Sequence, residues 1–302
     1  MRGRLVPLAA LLLVTGCSGS SPPVKDQAES PSATPKTLHA LANAPGSDVA
    51  VVAGTSDFAP GPIRYTFLVV APDGASIERP RARVWLARGL NERPFDRTTA
   101  VLERVGVPGG YSGDVNRIYV AHVRVPASGT YWVLAEPVGG RSVQALGNLV
   151  VHRHSISPTV GAKAFPSATP TLASTHGDLA RLTTHTPPDR ALLRYSIAGS
   201  LAAHKPFVVV FATPKFCTSR TCGPAVDVVN RVRKQFPGIR FIHVEIYKNN
   251  DPTKDFNRWV REWHLPTEPW VFLVGSDGRI RSKFEGAVSL AELSLAVRRA
   301  LP

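Results

Sequence analysis

Five consecutive apolar residues, Phe207 to Phe211 (FVVVF), leave a strand no polar face to turn toward water. Such a strand belongs in a sheet covered on both sides, and the segments around it must supply the cover. Ala225, Val228, Val229, Val232 and Phe236 recur at helical spacing and stop at Pro237-Gly238, which predicts a helix. FIHVEIY, from Phe241, predicts a strand with Ile242, Val244 and Ile246 on one face. Asp251-Pro252 reads as the start of another helix, Asp as N-cap and Pro at its first position, with Phe256, Trp259, Val260 and Trp263 on one face. WVFLV from Trp270 is a second fully apolar strand, and Ser276-Asp277-Gly278 turns into RIRSKF, whose alternation suits an edge strand. Ser289-Leu290-Ala291-Glu292 is a capping box for a final helix. A short helix near Ser196 to His204 precedes the series, so residues 189–302 are expected to form an α/β domain.

Upstream, residues 48–154 hold several short runs of strand character, among them VAVVAG, IRYTFLVVA, ARVWLA, RIYVAHVRV, YWVLAEPV and LGNLVVH. Divided by Gly, Pro and Asp, they predict an all-β antiparallel sandwich. Residues 155–188 (SPTVGAKAFPSATP, then THTPPD) read as an interdomain linker. There is no internal repeat.

The N-terminus bears on compartment. Arg2 and Arg4 precede a ten-residue apolar run, Leu5 to Val14, too short to span a bilayer but suited to a signal peptide. Residues 1–16 are expected to be that signal peptide. Val14-Thr15-Gly16-Cys17 resembles a bacterial lipobox, which implies lipidation of Cys17 and tethering to the extracytoplasmic face of the cell membrane. Residues 17–47, rich in Ser, Pro and Ala, read as a flexible tether with a reach of roughly 30 Å. Disulfides persist outside the cytosol. The formal charge is +14, which favours anionic headgroups or acidic wall polymers. No basic run or aromatic-interleaved stripe points to nucleic acid.

With Cys17 acylated, two of the three cysteines remain, Cys217 and Cys222, directly after the FVVVF strand. Residues five apart subtend about 140° on a helix of 3.6 residues per turn, so both cannot lie within it and still bond. Cys217 is placed on the loop and Cys222 at or near the first turn. There the helix N-terminus stabilises a Cys217 thiolate, with Lys215 and Arg220 adding to the field.

The order of elements over 189–302, with a cysteine pair where the first strand meets its helix, resembles the thioredoxin-like superfamily. The stretch SGTYWV from Ser128 resembles the tyrosine corner of immunoglobulin-like domains, with Val133 where those domains carry a disulfide cysteine. The resemblances together imply an immunoglobulin-like sandwich followed by an α/β thioredoxin-like fold. They imply thiol–disulfide exchange with exported proteins, Cys217 attacking and Cys222 resolving, and an external redox partner. No dissociable cofactor and no metal are implied. A second register stays open, because Cys222-Gly223-Pro224-Ala225 resembles the family's Cys-Gly-Pro-Cys with its last cysteine lost, which would make Cys222 the nucleophile. By position, Pro269 matches the family's cis-proline, with Pro266 the competing candidate. Glu268 departs from the pattern and puts negative charge near the thiols, and Phe216 stands where the family has Trp.

Other readings compete. TPKFCTSRTC also resembles a peroxiredoxin subgroup with a Cys-x4-Cys pair, although Pro214 stands where that subgroup has its threonine, with Thr213 one residue farther off, and Val210 replaces its proline. Copper delivery would need a histidine beside the pair. His243 and His264 are candidates, His152 and His154 form an H-x-H outside this region, and the only methionine is Met1. A permanent structural disulfide and a non-enzymatic surface-binding protein remain as plainer alternatives.

Overall fold

The computed structural model describes residues 36–43, 47–109, 114–140 and 142–301. The expected signal peptide, Cys17 and most of the tether lie outside these residues. Residues Lys36–Pro302 make up one compact unit. It begins with a short helix, α1 (Leu38–Ala42), capped by the Thr37 hydroxyl on Ala40 N. Seven strands follow: β1 (Ser47–Ala53), β2 (Gly61–Val70), β3 (Arg81–Ala87), β4 (Asp96–Arg104), β5 (Arg117–Val125), β6 (Gly129–Pro137) and β7 (Val143–Val151). Their neighbour order is β1-β2-β5-β4-β3-β6-β7, and β1 lies parallel to β7 and closes the ring. Inward positions such as Tyr65, Phe67, Val69, Val84, Leu86, Val133 and Ala135 build one core. Outward neighbours on the same strands are polar or half-buried, as a one-sided sheet requires.

The second sheet uses β8 (Phe207–Phe211), β9 (Arg240–Val244), β10 (Trp270–Val274) and β11 (Ile280–Glu285), in the order β11-β10-β8-β9. Its helices are α2 (Ile197–Ala202), α3 (Cys222–Arg233), α4 (Arg258–Glu262) and α5 (Leu290–Ala300). Strand β8 runs parallel to β9 and antiparallel to β10. All five residues of β8 are buried. Val208 and Val210 pack with α3 and α5, while Phe207, Val209 and Phe211 meet Trp263, Phe272 and Ile197 on the other face. The capping box at Ser289 and Glu292 is formed.

The expected fold class does not hold. The first region is a closed seven-stranded barrel, not an open immunoglobulin-like sandwich, and the whole is mostly β rather than a sandwich plus an α/β thioredoxin-like fold. Among the described residues there are eleven strands and five α-helices, of which only α3 and α5 exceed six residues. Two physical reasons account for this. Alternation identifies strands but says nothing of whether the first and last pair, and here β1 does pair with β7. The Tyr131 hydroxyl does donate to Ala127 O at 2.7 Å, but that local bond fits either architecture. In the second region, the helix expected at Asp251-Pro252 does not start there. Asp251 instead accepts from Thr253 N and Oγ1 in a turn, and Asn257 caps the five-residue α4. Much of one face of the sheet is therefore covered by short helices and by irregular chain around Ala164 and Phe165.

The stretch expected as a linker is fixed at several points. Asp57 accepts from Ser155, Ile156 and Ser157, and Ser167 donates to Glu262. Barrel and second sheet meet over polar anchors. The Glu285 carboxylate accepts from Ser56 N, Ser56 Oγ, Asp57 N and Thr267 Oγ1, each at 2.8 Å. Arg64 on β2 pairs with Glu292 on α5 at 2.7 Å. Gly286 (φ +70) has no room for a side chain, because a Cβ would run into the Gly54 carbonyl.

Candidate active site around Cys217 and Cys222

The β8 strand ends in the buried interior, and its continuation, residues 212–221, forms the loop carrying Cys217. Ala212 N donates to Val244 O, Lys215 N to Thr184 Oγ1, and Arg220 N to Cys217 O. Arg220 takes a left-handed backbone conformation (φ 54), and its carbonyl accepts from Val115 N of the barrel side. Cys222 is the first residue of α3 and fully buried, whereas Cys217 is half-buried. The two sulfurs lie 2.6 Å apart, unbonded.

Hydrogen bonding distinguishes the two thiols. Cys217 is pulled from 9.0 down to about 6, first by the Cys222 thiol donating to it. Burial opposes this, and the Ser219 hydroxyl and the N–H groups of Thr221 and Cys222 assist. Cys222 N donates to Cys217 Sγ at 3.3 Å, and Ser219 Oγ lies 3.2 Å from it. Cys222 moves the other way, well above 9.0, because it is buried, donates to Cys217 and faces the negative charge of Cys217 and, once ionised, of Glu268. One sulfur is therefore ionised at neutral pH and half-exposed, while the other keeps its proton beneath it.

The peptide bond between Glu268 and Pro269 is cis, as is that between Thr186 and Pro187; Pro266 is not in a cis bond. Pro269 is buried, and its carbonyl accepts from Gly286 N. Glu268, Cys217 and Cys222 each bring a side-chain donor atom to within 4.8 Å of the others. Burial raises the Glu268 carboxyl to about 8, with the Cys217 and Glu245 charges adding to it. Its Oε2 is buried without a hydrogen-bond partner. Two thiolates and a carboxylate are also donors that a tetrahedral metal ion accepts.

The other sequence candidates fall elsewhere. His243 is buried between Ala212 O (3.0 Å) and Thr183 Oγ1 (3.2 Å), and desolvation holds it down at about 4, so it serves packing. His264 is exposed, its ring against Phe165. Neither belongs to the cysteine cluster. Lys215 lies over the Phe216 ring (5.4 Å), and the groups that lower Cys217 are hydrogen-bond donors, not this cation. Thr213, the threonine nearest the place the peroxidase resemblance reserves, is fully buried.

Sequence reasoning missed Ser219 and Glu245. Ser219 lies only two residues from Cys217, so a hydroxyl-to-thiolate bond was a readable possibility. The position of Glu245 against the site came from sheet pairing and had no local signal. A cavity of 990 Å³ lies over Lys283 and Arg64 and holds neither thiol. A smaller cleft of 390 Å³ abuts the site, with Ser219, Thr221, Thr267 and Glu268 on one side and Val52, Gly54, Leu68, Val115 and Ile118 on the other. No helix among the described residues is long and apolar enough to cross a membrane. No family model matches the chain, and no curated protein is similar to it.

Proposed function

We propose that the protein is a thiol–disulfide oxidoreductase, acting on exported proteins and held by a lipid on Cys17 at the extracytoplasmic face of the cell membrane. The carrying observation is the asymmetry of the pair: a half-exposed sulfur with a low pKa on the loop and a buried, protonated one directly behind it at the start of α3. That is the arrangement exchange needs. The thiolate attacks a substrate disulfide, a mixed disulfide forms, and the second sulfur resolves it. The cis peptide before Pro269 sits beside the pair, as in proteins that share this motif, and supports the reading at the level of the motif alone. An exported redox partner completes the cycle.

The test is trapping. Full-length Cys222→Ser should accumulate a mixed disulfide with a disulfide-bonded protein substrate, and Cys217→Ser should form none. Equal trapping by both variants, or by neither, rejects the assignment. A reduction potential between about −120 and −270 mV is expected for a working pair, and one well below about −300 mV would mark an inert bridge.

A further inference from the structure

We infer that Glu268 is the proton shuttle of the pair, delivering a proton to the departing substrate thiolate and then removing the proton of Cys222. The inference rests on the exchange reading and adds to it a residue whose charge the sequence would place against the chemistry. Its geometry is specific. A Glu268 carboxylate oxygen and both sulfurs fall within 4.8 Å of one another, a span that one water bridges. The buried Oε2 has no partner, although buried polar atoms are nearly always bonded. The residue also lines the 390 Å³ cleft, together with Ser219 and Thr221 of the cysteine loop.

Among the described residues, the groups coupled electrostatically to Glu268 are all acidic. Cys217 approaches from the loop, Cys222 from α3, and Glu245 and Tyr247 from the chain after β9. Glu285 lies across the cleft at the end of β11, tied to Thr267. Cys217 and Glu268 cannot both be negative at low cost, so the resting site holds a Cys217 thiolate beside a protonated Glu268.

The steps then balance. Cys217 Sγ attacks a substrate disulfide, forming one S–S bond and breaking another, and the expelled substrate thiolate takes the Glu268 proton. Glu268 is now a carboxylate, and the negative charge of Cys217 has been consumed in the mixed disulfide. The carboxylate takes the proton from Cys222 Sγ. Cys222 attacks Cys217 Sγ, the mixed disulfide breaks, and the second substrate sulfur leaves as a thiolate. The substrate disulfide gains two electrons, the cysteine pair loses two, and Glu268 ends protonated as it began.

The test is a single-turnover reaction of the reduced full chain with a bis-nitrobenzoate disulfide, whose thiolate product absorbs visible light. The first release reports attack by Cys217 and the second reports resolution by Cys222. Glu268→Gln should slow the second release by about a hundredfold, the usual scale of acid–base assistance, while leaving the first within about threefold, since a nitrobenzoate thiolate departs without a proton and Glu268 then yields its own to water. With an alkyl disulfide, whose thiolate takes a proton, the first step should slow as well. Glu268→Asp should restore part of the loss. In the wild type the second release should depend on a carboxyl ionisation that the Gln variant lacks. An unchanged second release in a folded Glu268→Gln protein, or the same pH profile in both, overturns the shuttle alone. A wild type that gives no second release overturns the exchange reading and the shuttle together. Should the Gln variant not fold, the wild-type and Asp pH profiles decide the matter.

Discussion

The barrel and the four-stranded sheet bury their strands in opposite ways. Barrel strands are one-sided: β4 reads exposed, half-buried and buried by turns, and its Val101 is 47 % exposed. In the sheet, β8 and β10 are buried at every position. A closed ring needs no cover on its outer surface and has no edge to protect. A sheet covered on both faces must recruit chain from elsewhere, and its loops are the places where groups leave the interior. The cysteine loop is such an exit, with the half-buried Cys217 at the boundary and the buried Cys222 beneath it. The barrel provides one wall of the adjoining cleft.

The largest effect expected from this contrast is chemical. Folding lowers Cys217 from 9.0 to about 6, so its alkylation rate in the native protein should fall to half as the pH drops through about 6. In urea the same transition should move to the ordinary thiol range, a difference in thiolate population of about a thousandfold on the acid side. The folded pKa is depressed, so the group stabilises the native state above its unfolded pKa, and that contribution is lost as pH falls through about 6. Coincident profiles would mean that the loop does not tune the thiol.

Next comes the two-sided core. Phe272→Ala should cost about 3–5 kcal/mol in urea denaturation, since the ring packs against Phe211, Trp263 and Trp270. A loss below about 1 kcal/mol would show that the face collapses around the vacancy. A smaller effect is expected where the two regions join. Arg64→Ala removes the partner of Glu292 and a donor to Ala287 O, and should cost about 2 kcal/mol, the pair being mostly but not wholly buried. If the barrel and sheet depend on this anchor for cooperativity, fluorescence and circular dichroism should then unfold at separate urea midpoints. Val150, 48 % exposed on β7, sets the lower end. Val150→Thr should change stability by no more than about 0.5 kcal/mol.

The site was more legible than the fold because its signals are local. The loop position of Cys217 and the helical position of Cys222 follow from their spacing against an apolar strand and a 3.6-residue periodicity. Pro269 was found by position. Ser219 could have been read from its neighbourhood, and Glu268 was noticed but taken only as an opponent of the thiolate. What made it a candidate proton carrier was burial of its Oε2, which depends on everything packed around it. The helix expected at Asp251-Pro252 failed for a related reason. Asp251 and Asn257 both offer caps, and Asn257 N also donates to Ile246 O, which ties its position to the chain leaving β9.

By itself, the sequence determined where the two longer helices and the strands other than β4 run, because periodicity and caps act over a few residues, while the polar run of β4 carries little alternation. It also determined the spacing that puts one cysteine outside α3 and the other within it. Only the tertiary structure decided that β1 closes on β7, that short helices and irregular chain help cover the second sheet, and that Glu268 meets both sulfurs. Pairing between distant strands and the desolvation of a carboxyl are properties of the whole packing, and no local pattern encodes either.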